Sequence, residues 1–132
     1  MIVIDASVLA NAIADDAADG KRARAELLGL AGDLAAPDLV DVETVAVLRK
    51  RWLAGTLTAR RFSAAIGDLE RLDLELYPTL PLMRRAYELR QNVTVYDASY
   101  VALAELLGCE LLTGDKRLAS APGTRCPVRV LV

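Results

Sequence analysis

Four carboxylates stand where segments of contrasting pattern meet: Asp5, Glu43, Asp97 and Asp115. Asp5 closes the apolar run Ile2-Val3-Ile4, and Asp115 follows Leu111-Leu112-Thr113-Gly114. Asp97 opens an apolar helical stretch over residues 98–107, and Glu43 lies early in another over residues 40–53. Strand ends and helix starts meet along one edge of an α/β sheet, the edge where such folds place their sites. Carboxylates gathered there repel one another by about 4 kcal/mol per pair at ~4 Å and an effective dielectric of ~20. A bound cation or protonation relieves that repulsion, so the pattern points to a divalent-metal site. The chain contains no histidine. That excludes Ser-His-Asp and Cys-His nucleophiles and the H-E-x-x-H zinc motif. Hydrolysis by this chain must run on carboxylates and metal ions.

Each acid also has a plainer role. Asp5 and Asp97 are suitable caps for the helices that follow them. An acid early in a helix, like Glu43, suits the helix dipole, and Gly114-Asp115 makes an ordinary turn. Asp41 competes with Glu43 but falls two residues away, on a different helix face; Asp38 reads as the cap of that helix. Two hydroxyls accompany the acids. Ser7 is placed to hold the Asp5 carboxylate or a ligand water, and Thr113 to hydrogen-bond a neighbouring carboxylate. Tyr100 reads as packing. Lys116 and Arg117 adjoin the cluster and are the cations best placed to meet a phosphate.

The elements that must position these residues follow from periodicity and punctuation. Strands are expected at Ile2–Ile4, residues 34–36, residues 74–77, Glu110–Thr113 and residues 128–132. Helices are expected at residues 7–14, 21–30, 40–53, 58–72, 82–90 and 97–107, with a short helical turn at Lys116–Ala119. Asp15-Asp16 and Asp19-Gly20 mark a turn, Thr58 caps the fourth helix, and Gly55 and Gly108 end helices. Strands alternating with helices indicate α/β architecture: a short parallel sheet flanked by helices on both faces, in three layers.

At 132 residues the chain reads as one domain, residues 1–132, able to bury roughly two-thirds of its unfolded surface. Its hydrophobic fraction of 54% exceeds what a lone small domain usually hides. Helical residues around Leu48, Trp52 and Phe62 are therefore expected to form part of an apolar groove or dimer face. No apolar run reaches the roughly 18 residues of a membrane span. The chain enters a strand at once, without a basic leader, so a cytoplasmic location is expected. Cys109 and Cys126 have neither metal-ligand spacing nor the count of a disulfide framework. The net charge of −2 looks wrong for binding phosphates, but neutralising the four acids brings it to +2. Basic residues cluster at Arg49-Lys50-Arg51, Arg60-Arg61 and Arg84-Arg85 as well as at Lys116-Arg117.

Any one of these segments is weakly specific, but together, in order, they resemble a PIN domain, and specifically the toxin ribonucleases of VapBC-type toxin–antitoxin pairs. The resemblance runs from Ile2-Val3-Ile4-Asp5-Ala6-Ser7 through Glu43 and Tyr96-Asp97-Ala98-Ser99-Tyr100-Val101-Ala102-Leu103-Ala104 to Leu112-Thr113-Gly114-Asp115-Lys116-Arg117-Leu118. It implies a PIN-like fold and endonucleolytic cleavage of RNA dependent on Mg2+ or Mn2+. Asp5, Glu43, Asp97 and Asp115 would be the catalytic acids and metal ligands, with Ser7 and Thr113 as hydroxyl supports. A homodimer and a cognate antitoxin are further implications. A receiver domain needs a phospho-acceptor Asp ending its middle strand, where this chain has Leu76-Tyr77-Pro78. A haloacid-dehalogenase-type phosphatase needs an Asp where Ser7 stands. The remaining alternative is a PIN-like module that binds RNA or a partner without cutting.

Overall fold

Three β-branched residues in succession make Ile2–Ile4 a strand that is buried on both faces, as the centre of a parallel sheet requires. The computed structural model describes residues 1–131. Its strands are β1 (Ile2–Ile4), β2 (Leu34–Pro37), β3 (Glu75–Tyr77), β4 (Glu110–Thr113) and β5 (Val128–Val130). Its helices are α1 (Ala6–Ala14), α2 (Ala18–Gly29), α3 (Val40–Leu53), α4 (Ala59–Arg71), α5 (Met83–Glu88), α6 (Val95–Leu107) and α7 (Lys116–Ala119), with a single 3-10 turn at Leu80–Leu82. The strands form one sheet in the order β3-β2-β1-β4-β5, and every pairing is parallel. The α/β expectation holds. Parallel pairing brings the C-terminal ends of β1, β2 and β4 to one edge, and in register Ile4 lies opposite Leu112.

Helix α6 packs on β1, β2 and β4, while α1 packs with α2, α3 and α4. Ala98 to Ala104 are all buried, as a helix apolar nearly all round should be. Gly108 ends α6 at φ 64°, a left-handed conformation that only glycine adopts cheaply. Thr58 caps α4 as expected, its side chain accepting from Arg61 N.

Several boundaries differ from the sequence pattern, each for a local reason. Helix α2 starts at Ala18, three residues early, so Asp19-Gly20 lies inside it rather than in a turn. Gly20 is there for contact: a Cβ at this position would lie 1.6 Å from the Asp15 carbonyl oxygen. Asp38 does not cap α3. Its N–H donates to Tyr77 O at 2.7 Å, extending the β2–β3 pairing, and α3 begins after Leu39 without a side-chain cap. The expected helix over residues 82–90 is a 3-10 turn followed by the short α5, with proline in the first turn where its missing N–H costs nothing. Strand β5 ends at Val130; the expected strand residue Val132 lies outside the described residues.

The apolar surplus divides. Leu48 is wholly buried in the core, so it contributes to no surface. Trp52 is 44% exposed and Phe62 half-buried; with Ala59, Ser63 and Ile66 they line an open apolar cleft of about 330 Å³. No helix among the described residues is long and apolar enough to cross a membrane.

Candidate active site

The first acid is built by a strand end and a helix start at once. Asp5 follows β1 directly and caps α1, its Oδ1 accepting from Val8 N at 3.2 Å and from the Ser7 hydroxyl at 2.6 Å. Its Oδ2 accepts a short hydrogen bond from the Thr113 hydroxyl at the end of β4. Both hydroxyls also accept: Ser7 Oγ from Gly114 N at 3.1 Å, and Thr113 Oγ1 from Asp115 N at 3.0 Å. The pair of hydroxyls thus fastens the β4–α7 loop to the Asp5 carboxylate. Gly114 makes this possible, because its ideal Cβ would sit 3.1 Å from Ser7 Oγ. Asp5 is only 6% exposed. Burial pushes its carboxyl above the ordinary range, and the hydroxyl bonds pull back against that.

Helix α6 supplies Asp97 in its first turn. Thr94, and not Asp97, is the cap, its Oγ1 accepting from Asp97 N at 3.2 Å, so the Asp97 side chain is left available. Burial raises its carboxyl, and the charges of Asp5 and Asp115 raise it further. Glu43 comes from the first turn of α3, where its Oε1 accepts from the Tyr100 hydroxyl at 2.6 Å. Burial raises Glu43 as well; the Tyr100 bond opposes this, while Asp97 and Asp5 add to it. Glu43, not Asp41, is therefore the α3 acid coupled to the cluster. Tyr100 is 1% exposed, and burial with the Glu43 bond pushes its phenol far up, keeping it a donor.

Asp115 differs. It caps α7, and its carboxylate is turned onto Arg117, which donates from its backbone N at 2.9 Å, Nε at 3.2 Å and Nη2 at 3.0 Å. Those bonds hold the Asp115 carboxyl below the usual range. Lys116 is exposed, and the Arg117 side chain is 91% exposed. Asn92, Thr94, Asp97, Asp115 and Arg117 border a cleft of about 190 Å³ beside the acids.

The four acids share the sheet edge and act on one another, but they do not close on a common centre. Among the described residues no three Asp or Glu side chains stand in a ready-made ion cage. The reason is visible in the bonds above: Asp5 has both oxygens on protein donors, Asp115 is folded onto Arg117, and the charges repel. The donor set nevertheless fits a hard divalent cation. It is all oxygen, and three of its members are held above their ordinary range. Among the described residues no Lys or Arg nitrogen forms a salt bridge with Asp5, Glu43 or Asp97.

Two participants escaped the sequence reading. Tyr100, read as packing, carries the bond to Glu43; the signal was its place three residues after Asp97, on the same helix face, since a buried phenol needs a partner. Thr94 was hidden because Asp97 itself looked like the cap.

The PIN domain family matches residues 2–123. The Mycobacterium tuberculosis protein named ribonuclease VapC9 is 39% identical over 131 residues, covering 99% of this chain and 98% of the relative. Ribonuclease VapC1 of the same species is 41% identical over 133 residues, covering 98% and 96%. The fold also matches a chain of a toxin–antitoxin complex from Klebsiella pneumoniae, with a TM-score of 0.71 at 18% identity over 100% of this chain and 98% of that one. The chain belongs to the PIN domain family, and within it to the VapC ribonucleases.

Proposed function

We propose that this chain is the toxin of a toxin–antitoxin pair, an endoribonuclease that hydrolyses RNA phosphodiester bonds with Mg2+ or Mn2+ held by carboxylates. The observation that carries the reading is the edge itself: Asp5, Glu43 and Asp97, drawn from three separate elements, are raised above their usual range and, among the described residues, form no salt bridge with Lys or Arg. The names of VapC9 and VapC1 support RNA as the substrate, and the Klebsiella complex supports an antitoxin partner. A homodimer in the cytoplasm, with residues 1–132 as one nuclease domain, completes the proposal.

Asp5, Glu43, Asp97 and Asp115 would hold the ion, Asp5 and Asp97 most directly. When bound, such an ion lowers the pKa of water and offsets charge gathering on the phosphate. The protein's own part is largely prearranged. Ser7 and Thr113 keep the Asp5 carboxylate turned to the edge. Glu43 keeps Oε1 on Tyr100, which leaves Oε2 to face the ion. Asp115 joins by leaving Arg117, which frees that guanidinium for the RNA backbone.

The test is hydrolysis of RNA by the purified protein with added Mg2+ or Mn2+, abolished by a chelator and restored by the ion. Protein that binds RNA but never cuts it under these conditions is a binding module instead. A narrower test concerns the two flanking cations. Replacing Lys116 and Arg117 together with Ala should raise KM several-fold with the ion still bound. It should also flatten the salt dependence by about 1.4 in log–log slope, for two lost single-strand phosphate contacts. An unchanged slope would move the RNA to the basic run Arg49-Lys50-Arg51.

A further inference from the structure

We infer that Tyr100 is a positioning residue of the carboxylate site: its phenol fixes the Glu43 carboxylate by one oxygen and so leaves the other for the ion. The inference rests on the metal-dependent reading above. Four observations lead to it. Tyr100 is almost wholly buried in α6, so its ring is locked by packing and its hydroxyl cannot turn to water. That hydroxyl makes one hydrogen bond among the described residues, to Glu43 Oε1 at 2.6 Å. The length is that of an O–H to carboxylate bond, the stronger, charge-assisted kind. Tyr100 also lies one helical turn after Asp97, so a single face of α6 carries one acid and the anchor of another.

Without that anchor Glu43 has three rotatable bonds and a half-exposed carboxylate, and ordering it must come out of the binding free energy of the ion. A phenylalanine would fill the same space. What the hydroxyl adds is orientation, in the way that a second layer of hydrogen bonds orients ligands around metals generally, where its loss costs ~10–100-fold in affinity or activity.

The experiment compares the full-length parent with Y100F, E43Q and Y100F/E43Q, each stripped of metal. Mn2+ is then titrated in and the free ion is counted by electron paramagnetic resonance. Cleavage kinetics are measured alongside, and circular dichroism checks the fold. Y100F should weaken Mn2+ binding by ~10-fold and lower kcat by a similar factor, with KM for RNA unchanged. In the E43Q background the Tyr100→Phe change should add less than about twofold, because the two residues act as one unit. Parent-like Mn2+ affinity in Y100F overturns the inference, as does an equal loss in both backgrounds, which would make Tyr100 packing only. A parent that takes up no Mn2+ defeats the metal reading and this inference together, a result distinct from either of those.

Discussion

Asp5→Asn should cut RNA cleavage by at least ~100-fold while the protein stays folded and melts no lower than the parent at neutral pH. The loss estimate starts from ~10–100-fold for groups that merely orient a ligand; a direct ligand should cost more. The stability half is the sharper claim. Burial raises the Asp5 carboxyl in the folded state. Its protonated form therefore favours folding below the ordinary carboxylate range, and that contribution is lost as pH rises through the folded pKa. At neutral pH the charge works against the fold, and asparagine removes it. Two of the three side-chain bonds are kept, the amide oxygen accepting from Val8 N and Ser7; the third is exchanged for one in which Thr113 Oγ1 accepts from the amide nitrogen and gives up its own acceptor. Measured melting and cleavage decide it. If the variant unfolds, Asp5 serves chiefly as the cap of α1; if it cleaves within tenfold of the parent, Asp5 is not a ligand.

The second large effect is stabilisation by the ion itself. Glu43 and Asp97 are raised along with Asp5, in each case by burial first. All three contributions have the same sign: in the metal-free protein they take stability away as pH climbs from the ordinary carboxylate values of 3.8 and 4.5 toward neutrality, against the opposite contributions of Asp16, Glu105 and Asp115, whose carboxyls are held low. Mn2+ at a hundred times its dissociation constant should return about 2.7 kcal/mol, roughly a 10 °C rise in melting temperature for a domain of this length. The rise should be greatest at neutral pH, shrink as the carboxyls protonate, and disappear with a chelator. Melting curves that are flat in Mn2+ at pH 7 would show that these acids hold no ion.

The parts of the site that were legible in the sequence are those set by adjacent residues. Ile2-Val3-Ile4-Asp5 gives a strand end whatever surrounds it, and Thr113-Gly114-Asp115 gives a turn. The burial of Ala98 to Ala104 follows from the absence of charged residues there. What stayed hidden depends on partners far along the chain. Asp38 looked like a cap because Asp usually is one, but the Tyr77 carbonyl offered its N–H a sheet partner instead. Gly20 looked like a turn because the Asp15 carbonyl it accommodates cannot be seen from composition. Leu48, expected on an apolar face with Trp52 and Phe62, lies wholly in the core instead. Tyr100 was placed on the right helix with the wrong task, since its partner lies 57 residues away.

The hydroxyl bond from Thr113 to Asp5 joins residues 108 positions apart, and β1 finds its β4 neighbour only across the same interval. A chain emerging from the ribosome therefore carries Asp5, Ser7 and Glu43 into the open long before Thr113 and Asp115 have been made. Until β4 and Thr113 are released, the first strand lacks one flank and its carboxylate lacks one of its two hydroxyl clamps. The order of the strands thus makes assembly of the carboxylate edge wait on a residue translated 108 positions after its first acid. Truncated products of interrupted translation should be harmless for the same reason.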